Sequence, residues 1–277
     1  MSLDLIYKND KHIFDEAGDT VPFLEYPMLR KTGLVYHGFS TRLGGVSEGC
    51  YPSMNLSFDR GDDPEAVREN FRRIGNAIGV NVEDMVMSKQ THTTNVRVVT
   101  EEDRGKGVVK ERDYTDVDGL VTDVRGICLV TSYADCVPLY FVDPVRNAIG
   151  LSHSGWRGTV GKIGKKTVEL MTERFGSDPS DILACVGPSV CVDCYEVSED
   201  VVEKVREAFA PALWNRLFYK KDNGKYAPTV TAESCILIVH RGIEEATCVR
   251  FLHLSKRKDE KSAVSVRLLK YDNGKLC

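Results

Sequence analysis

Four short β-rich segments follow one another at residues 120–122, 127–132, 137–142 and 148–152, with Asp143-Pro144 marking the turn between the last two. A run of strands with no helix between them breaks any regular alternation of strand and helix. That pattern excludes a Rossmann or TIM arrangement and predicts an α+β fold with mixed sheets. Further strands are expected at 35–40, ending in the glycine turn Thr41-Arg42-Leu43-Gly44-Gly45, and at 85–87, 96–99 and 182–186. The polar stretch 101–118 reads as a surface loop.

Helices frame these strands. The first is bounded by Asp62 or Asp63 as cap, Pro64 in the first turn and Gly79 as stop. Its Val67, Phe71, Ile74 and Ile78 share one apolar face. A second is expected over 159–175, with Val160, Ile163, Leu170, Met171 and Phe175 inward and Gly176 closing it. A third starts at Ser198, with Glu199 and Asp200 near its positive end.

No repeat, low-complexity tract or Pro/Gly/Ser linker divides the 277 residues, so one domain over 1–277 is expected. Hydrophobic residues at 42% and charged ones at 28% match a globule that buries a core without staples. A net charge of −4 gives no footprint for nucleic acid or an anionic membrane. The longest membrane-like run, 235–239, is far short of a span, and the first residues carry no apolar export signal. Nine cysteines, an odd number, then point to reduced thiols in a cytoplasm.

Of the six histidines, His12, His37, His92, His153, His240 and His253, two have unusual settings. His92 occupies a short gap between strands. His153 leads a strand through Gly155-Trp156-Arg157-Gly158 into a helix. Between them, Asp135-Cys136 stands where one strand gives way to the next. Two His and one Cys are the composition of a catalytic zinc site with an open fourth position. The same residues allow a cysteine hydrolase with Cys136 as nucleophile, a His as base and Asp135 as orienter. They also match a His₂Cys copper site, or a buried cysteine with two ordinary histidines. A multi-copper cluster needs more histidines and His-x-His pairs, which the chain lacks.

Cys191-Val-Asp-Cys194 is a lone CxxC after a Gly-Pro turn and is expected to bind no metal. Lys162, Lys165, Lys166 and the Lys256-Arg257-Lys258 run read as solvated charge. Arg42 and Arg157 lie in glycine-flanked turns, where guanidinium and backbone amides together suit phosphate.

The segments His37-Gly-Phe-Ser-Thr-Arg-Leu-Gly-Gly, Ser53-Met-Asn-Leu56, Gln90-Thr-His92, Asp118-Gly-Leu-Val-Thr122, Ala134-Asp-Cys-Val-Pro138, His153-Ser-Gly-Trp-Arg-Gly158 and Gly187-Pro-Ser189 with Tyr195-Glu-Val197 occur in this order. In these the chain resembles the bacterial YfiH/YlmD-type proteins. That family was formerly described as laccase-type polyphenol oxidases and is now described as zinc-dependent purine nucleoside phosphorylases. The resemblance implies two mixed β-sheets packed face to face and flanked by helices, related to toxin deamidases. It implies His92, Cys136 and His153 as metal ligands, for Zn²⁺ or alternatively Cu²⁺. On this reading Cys136, Asp135 and Arg157 are expected to be catalytic, Asp135 from its place beside Cys136, and Arg42 and Asn55 to bind substrate. The implied substrates are purine nucleosides (adenosine, inosine, methylthioadenosine) and phosphate, with adenosine deamination beside phosphorolysis. The alternatives are a copper polyphenol oxidase and a Cys-His amidase acting on peptidoglycan precursors. A cytoplasmic monomer or homodimer without nucleic-acid or membrane partners is expected. The family's pattern is not found at 229–269, and Thr93 replaces the usual glycine after the first ligand.

Overall fold

The computed structural model describes residues 15–51, 53–190 and 195–228, together with the backbone of 265–271. Two mixed sheets carry the fold. The larger holds, in spatial order, β1 (Asp15–Ala17), β2 (Phe23–Glu25), β3 (Val35–Ser40), β13 (Ser265–Tyr271), β7 (Cys128–Tyr133) and β4 (Met85–Met87). The second holds β10 (Leu183–Val186), β8 (Val137–Asp143), β9 (Ala148–Ser154), β6 (Gly119–Thr122) and β5 (Val96–Val98). Each has one parallel pair, β4–β7 and β5–β6; its other pairs are antiparallel. A two-stranded ribbon joins β11 (Phe218–Lys220) to β12 (Tyr226–Pro228).

Side-chain alternation along these strands builds the layers. In β7, Leu129 faces one way with Tyr140 and Val142 of β8 and Ile149 and Leu151 of β9, filling the space between the sheets. Cys128 and Val130 face the other way, onto helix α2 (Pro64–Ile78) with its Val67, Phe71, Ile74 and Ile78. On the outer face of the second sheet, Val137, Leu139 and Phe141 pack with Ile163, Val168 and Met171 of helix α4 (Ile163–Phe175). The order is helix, sheet, sheet, helix. Short helices α1 (Pro27–Lys31), α3 (Trp156–Val160), α5 (Glu199–Ala208) and α6 (Trp214–Leu217) complete the described elements. Among the described residues no helix is long and apolar enough to cross a membrane.

The expected first helix has its predicted bounds. Asp63 caps it by accepting from the Glu65 amide, and Gly79 ends it at φ +87°, a left-handed value that favours glycine. The expected second helix is two. Lys162 at φ +62° breaks it, and a Cβ on Gly161 would lie 2.6 Å from Thr94 Cγ2. The break lets α3 follow the turn after β9 while α4 lies along the sheet. Val160, Leu170 and Phe175 are only half-buried, whereas Thr167 is buried and bonds Ser152 Oγ at 2.6 Å. Ser198 stands at the start of α5, but its hydroxyl turns to the Asp200 carboxylate rather than capping an amide. The 101–118 stretch is irregular as expected, yet Asp103, Val108, Val117 and Asp118 are buried. β13 enters the middle of the larger sheet, between β3 and β7, from sequence where the family's pattern was not found. The CxxC at 191–194, His12, His240, His253 and the basic run at 256–258 lie outside the described residues.

Candidate metal centre

The β8–β9 hairpin register pairs Val137 with Ser154 and Pro138 with His153. Cys136, one residue before β8, therefore falls opposite the turn that follows β9, beside His153. A Cβ on Gly155 would lie 3.0 Å from Cys136 Sγ and 3.0 Å from His92 Cδ2, so that glycine lets the three side chains close up. One ligand atom from each of His92, Cys136 and His153 lies within 4.8 Å of the others. Cys136 Sγ is 3.9 Å from His92 Nε2, and the two imidazoles meet edge to face at 4.9 Å.

Asp118 organises this group from behind. Fully buried at the start of β6, it accepts from His153 Nδ1 at 2.8 Å through Oδ1. It also accepts from the amides of Thr91 at 2.9 Å, His92 at 3.0 Å and Thr93 at 3.1 Å. The bond to Nδ1 leaves the Nε2 lone pair of His153 for the centre. The three amides hold the His92 turn, where His92 itself has φ +66°, a conformation seldom adopted without such support. Burial alone would raise the Asp118 carboxyl, but His153 and the Thr91 and Thr93 amides outweigh it and hold it below the ordinary range. Burial lowers His92, and the neighbouring His153 lowers it further. The Cys136 thiol is pushed up to about 11, first by burial and then by Asp135 and Asp118. A cation bound at the sulfur would displace this proton to solvent.

Two imidazoles, one of them locked by a carboxylate, and a sulfur fit a borderline transition-metal cation such as zinc, and fit copper as well. Arg157 is exposed at the start of α3, 4.4 Å over the Trp156 ring, and its charge reaches His92 and Tyr195. Asp135 is exposed, and its carbonyl accepts from the Val190 amide at 3.0 Å. Arg42 and Asn55 sit on a different loop, the one bolted to α2. Asn70 on α2 accepts from the Val46 amide and donates to Ser47 Oγ and to the carbonyls of Ser53 and Asn55. Asn55 is buried, its amide donated to Asp62 Oδ2 at 2.8 Å and the Ser57 carbonyl at 3.3 Å.

Two neighbours were not among the predicted site residues. Asp118 could have been sought as the partner that a metal-binding histidine needs, but nothing in its spacing marks it. Tyr195 is half-buried close to Cys136, Asp135 and Arg157; burial chiefly, and the first two, raise its phenol.

The family described as multi-copper polyphenol oxidoreductase laccase matches residues 36–259. The purine nucleoside phosphorylase YlmD of Bacillus subtilis (strain 168) is 40% identical over 176 residues, 62% of this chain and 62% of that protein's length. Adenosine deaminase RL5, from an unknown prokaryotic organism, is 36% identical over 239 residues, 86% of this chain and 90% of that one. The crystal structure of the Bacillus licheniformis hypothetical protein YfiH superposes with a TM-score of 0.80 at 28% identity, covering 92% of this chain and 97% of that one.

Proposed function

The chain belongs to the multi-copper polyphenol oxidoreductase laccase (YfiH) family, and from that membership we propose that it is a zinc-dependent purine nucleoside phosphorylase that also deaminates adenosine. The convergence of His92, Cys136 and His153 on one point carries this reading. Relatives named purine nucleoside phosphorylase and adenosine deaminase support the substrate class. His92, Cys136 and His153 would hold the zinc, which would supply Lewis-acid charge at neutral pH.

The chain's own groups do the rest. Asp135, exposed next to Cys136, carries protons to and from the reacting atoms. Arg157 is fixed on the Trp156 ring and contributes positive charge toward phosphate. Arg42 adds a second guanidinium from the glycine turn after β3. Asn55 is joined to that loop through Asn70, which donates to the Asn55 carbonyl and accepts from the Val46 amide. Trp156 and Tyr195 supply aromatic surface beside the centre, of the kind a purine ring stacks on. We place the enzyme in the cytoplasm, where thiols such as Cys50, Cys136 and Cys185 stay out of disulfides.

A cysteine nucleophile fits less well, because the surroundings of Cys136 keep the proton on sulfur. Metal analysis of protein prepared without added copper, followed by assays of adenosine and inosine with and without phosphate, tests the proposal. One zinc per chain and phosphate-dependent release of base are expected. His92→Ala, Cys136→Ala and His153→Ala should each lose most of the metal and nearly all turnover. Arg157→Ala should raise the KM for phosphate about 10-fold or more with zinc retained, and deamination should suffer less. Copper at full occupancy with phenol oxidation and no nucleoside turnover would instead establish the oxidase. Full zinc in Cys136→Ala with activity lost would favour the amidase.

A further inference from the structure

A cleft of about 440 Å³ that none of the three metal ligands lines is bounded in part by Phe58, Arg68, Lys89, Lys110, Arg112 and Tyr114. A smaller hollow of about 80 Å³ shares Phe58, Lys89 and Arg112 and continues to Gln90 and Ser132. Four cations face the larger cleft against one carboxylate, Glu111, on a chain whose net charge is −4. This is a local reversal of the overall sign.

The cations are held in distinct ways. Arg112 donates to the Ser88 carbonyl at 2.7 Å, a neutral acceptor, so its guanidinium is positioned without being neutralised. Lys89 is paired with Asp59 at 2.8 Å on the cleft's rim. Arg68 bonds Glu65 on its own helix and lies 6.0 Å from the Phe58 ring centre. Lys110 is exposed. The positive field reaches Asp59, whose carboxyl is held low by its bond to Lys89 and further by Arg112, against the opposing effect of burial.

Two rings are fixed beside these charges. Phe58 stacks on Phe71 of α2 at 5.7 Å. Tyr114 donates its hydroxyl to the Met87 carbonyl at 2.8 Å and is covered by Arg97 at 4.6 Å. The Tyr114 hydroxyl and the Phe58 ring are each held by a packed neighbour, which preorganises the aromatic surface.

We propose that this cleft is a second ligand site that binds a nucleoside monophosphate, its phosphate on Arg112 and Lys110 and its base against Phe58 and Tyr114. A guanidinium held at Ser88 and an exposed ammonium beside packed rings recognise an anion joined to a planar ring, and the cleft's volume suits a small molecule. None of the residues proposed for catalysis lines the cleft.

Calorimetric titration with AMP, adenosine and inorganic phosphate tests it on the full chain. AMP should bind at low salt and weaken as salt rises. Lys110→Gln and Arg112→Gln should each weaken AMP about tenfold, the worth of one charge-assisted contact. The Lys110 variant keeps the Ser88 contact intact, so a loss there cannot come from a loosened loop. Cys136→Ser should leave AMP affinity unchanged, which separates this site from the metal centre. In that variant, adenosine and phosphate should each bind about tenfold more weakly than AMP or worse. Loss of AMP in Cys136→Ser with retention in both cation variants would overturn the proposal by moving the ligand to the metal centre. Failure of AMP to bind at about 5 mM would overturn it outright, as would phosphate binding as tightly as AMP.

Discussion

Asp118 is one carboxylate with four duties at the level of single residues. It sets the orientation of His153 and gathers three consecutive amides around His92. Asparagine keeps the shape but offers one acceptor oxygen in place of two. Asp118→Asn should therefore weaken metal binding about 10- to 100-fold while the protein stays folded. Chelator competition followed by circular dichroism measures both; unchanged metal affinity would show that the carboxylate only supports the loop. His37 is a different kind of histidine. It is buried in β3 and its Nε2 accepts from the Tyr26 amide at 2.7 Å, a bond that only the neutral ring can make. Burial, the largest effect, lowers its pKa from the ordinary 6.5 to about 4. As pH falls below 6.5 the unfolded chain takes up a proton that the folded chain refuses until about pH 4. Stability is then lost as pH drops through that window, by about 2 kcal/mol between pH 7 and 5. Urea unfolding of the native protein and His37→Gln at both pH values checks this: the variant's loss should be smaller by about that amount. Parallel losses in the two proteins would refute it.

Among the elements, α2 is the one whose local signals and tertiary role agree most fully. Its cap, proline, apolar stripe and glycine stop are all local, and the structure uses each of them. Phe71 is wholly buried and stacks on Phe58, while Arg72 next to it faces solvent. Phe71→Ala should cost about 3–5 kcal/mol, and Arg72→Ala less than about 0.5 kcal/mol, in denaturant unfolding. A small cost at Phe71 would mean that the helix is not packed on the larger sheet as described. α4 shows where local signals mislead. Its apolar periodicity runs on from α3, so the break at Gly161 and Lys162 is invisible until Thr94 is seen to occupy the space a side chain would need.

At the scale of the whole molecule, metal and fold are linked. The ligands come from the turn after β4, the start of β8 and the end of β9, so a bound cation ties segments that are distant in the chain. A ligand held at 100 times its Kd adds about 2.7 kcal/mol to the folded state. For a chain of 277 residues that corresponds to a Tm about 5 °C higher than in chelated protein. Thermal scans with and without a chelator check this, and Cys136→Ala should abolish the difference. A shift that persists in Cys136→Ala would place the stabilising metal elsewhere.

By itself the sequence determined the class of the fold and the composition of the centre. Consecutive strands are a local pattern of alternation and turn residues, and α2 is a local pattern of caps and spacing. His92, Cys136 and His153 were candidates from their settings near strand ends, and the resemblance to the YfiH/YlmD-type proteins singled them out as ligands. Their 44- and 17-residue separations said nothing of distance, and only the hairpin register and the turn at Gly155 brought them together. Asp118, named only as part of a family segment, was given no role for the same reason: a buried carboxylate is recognisable by the amides and the imidazole it serves, and these are contributed by other segments. The insertion of β13 between β3 and β7 was equally beyond reach, since backbone pairing across more than a hundred residues leaves no local period to read. Local physics wrote the elements; which strand lies beside which, and hence which side chains share a site, was decided by packing two sheets on a common core.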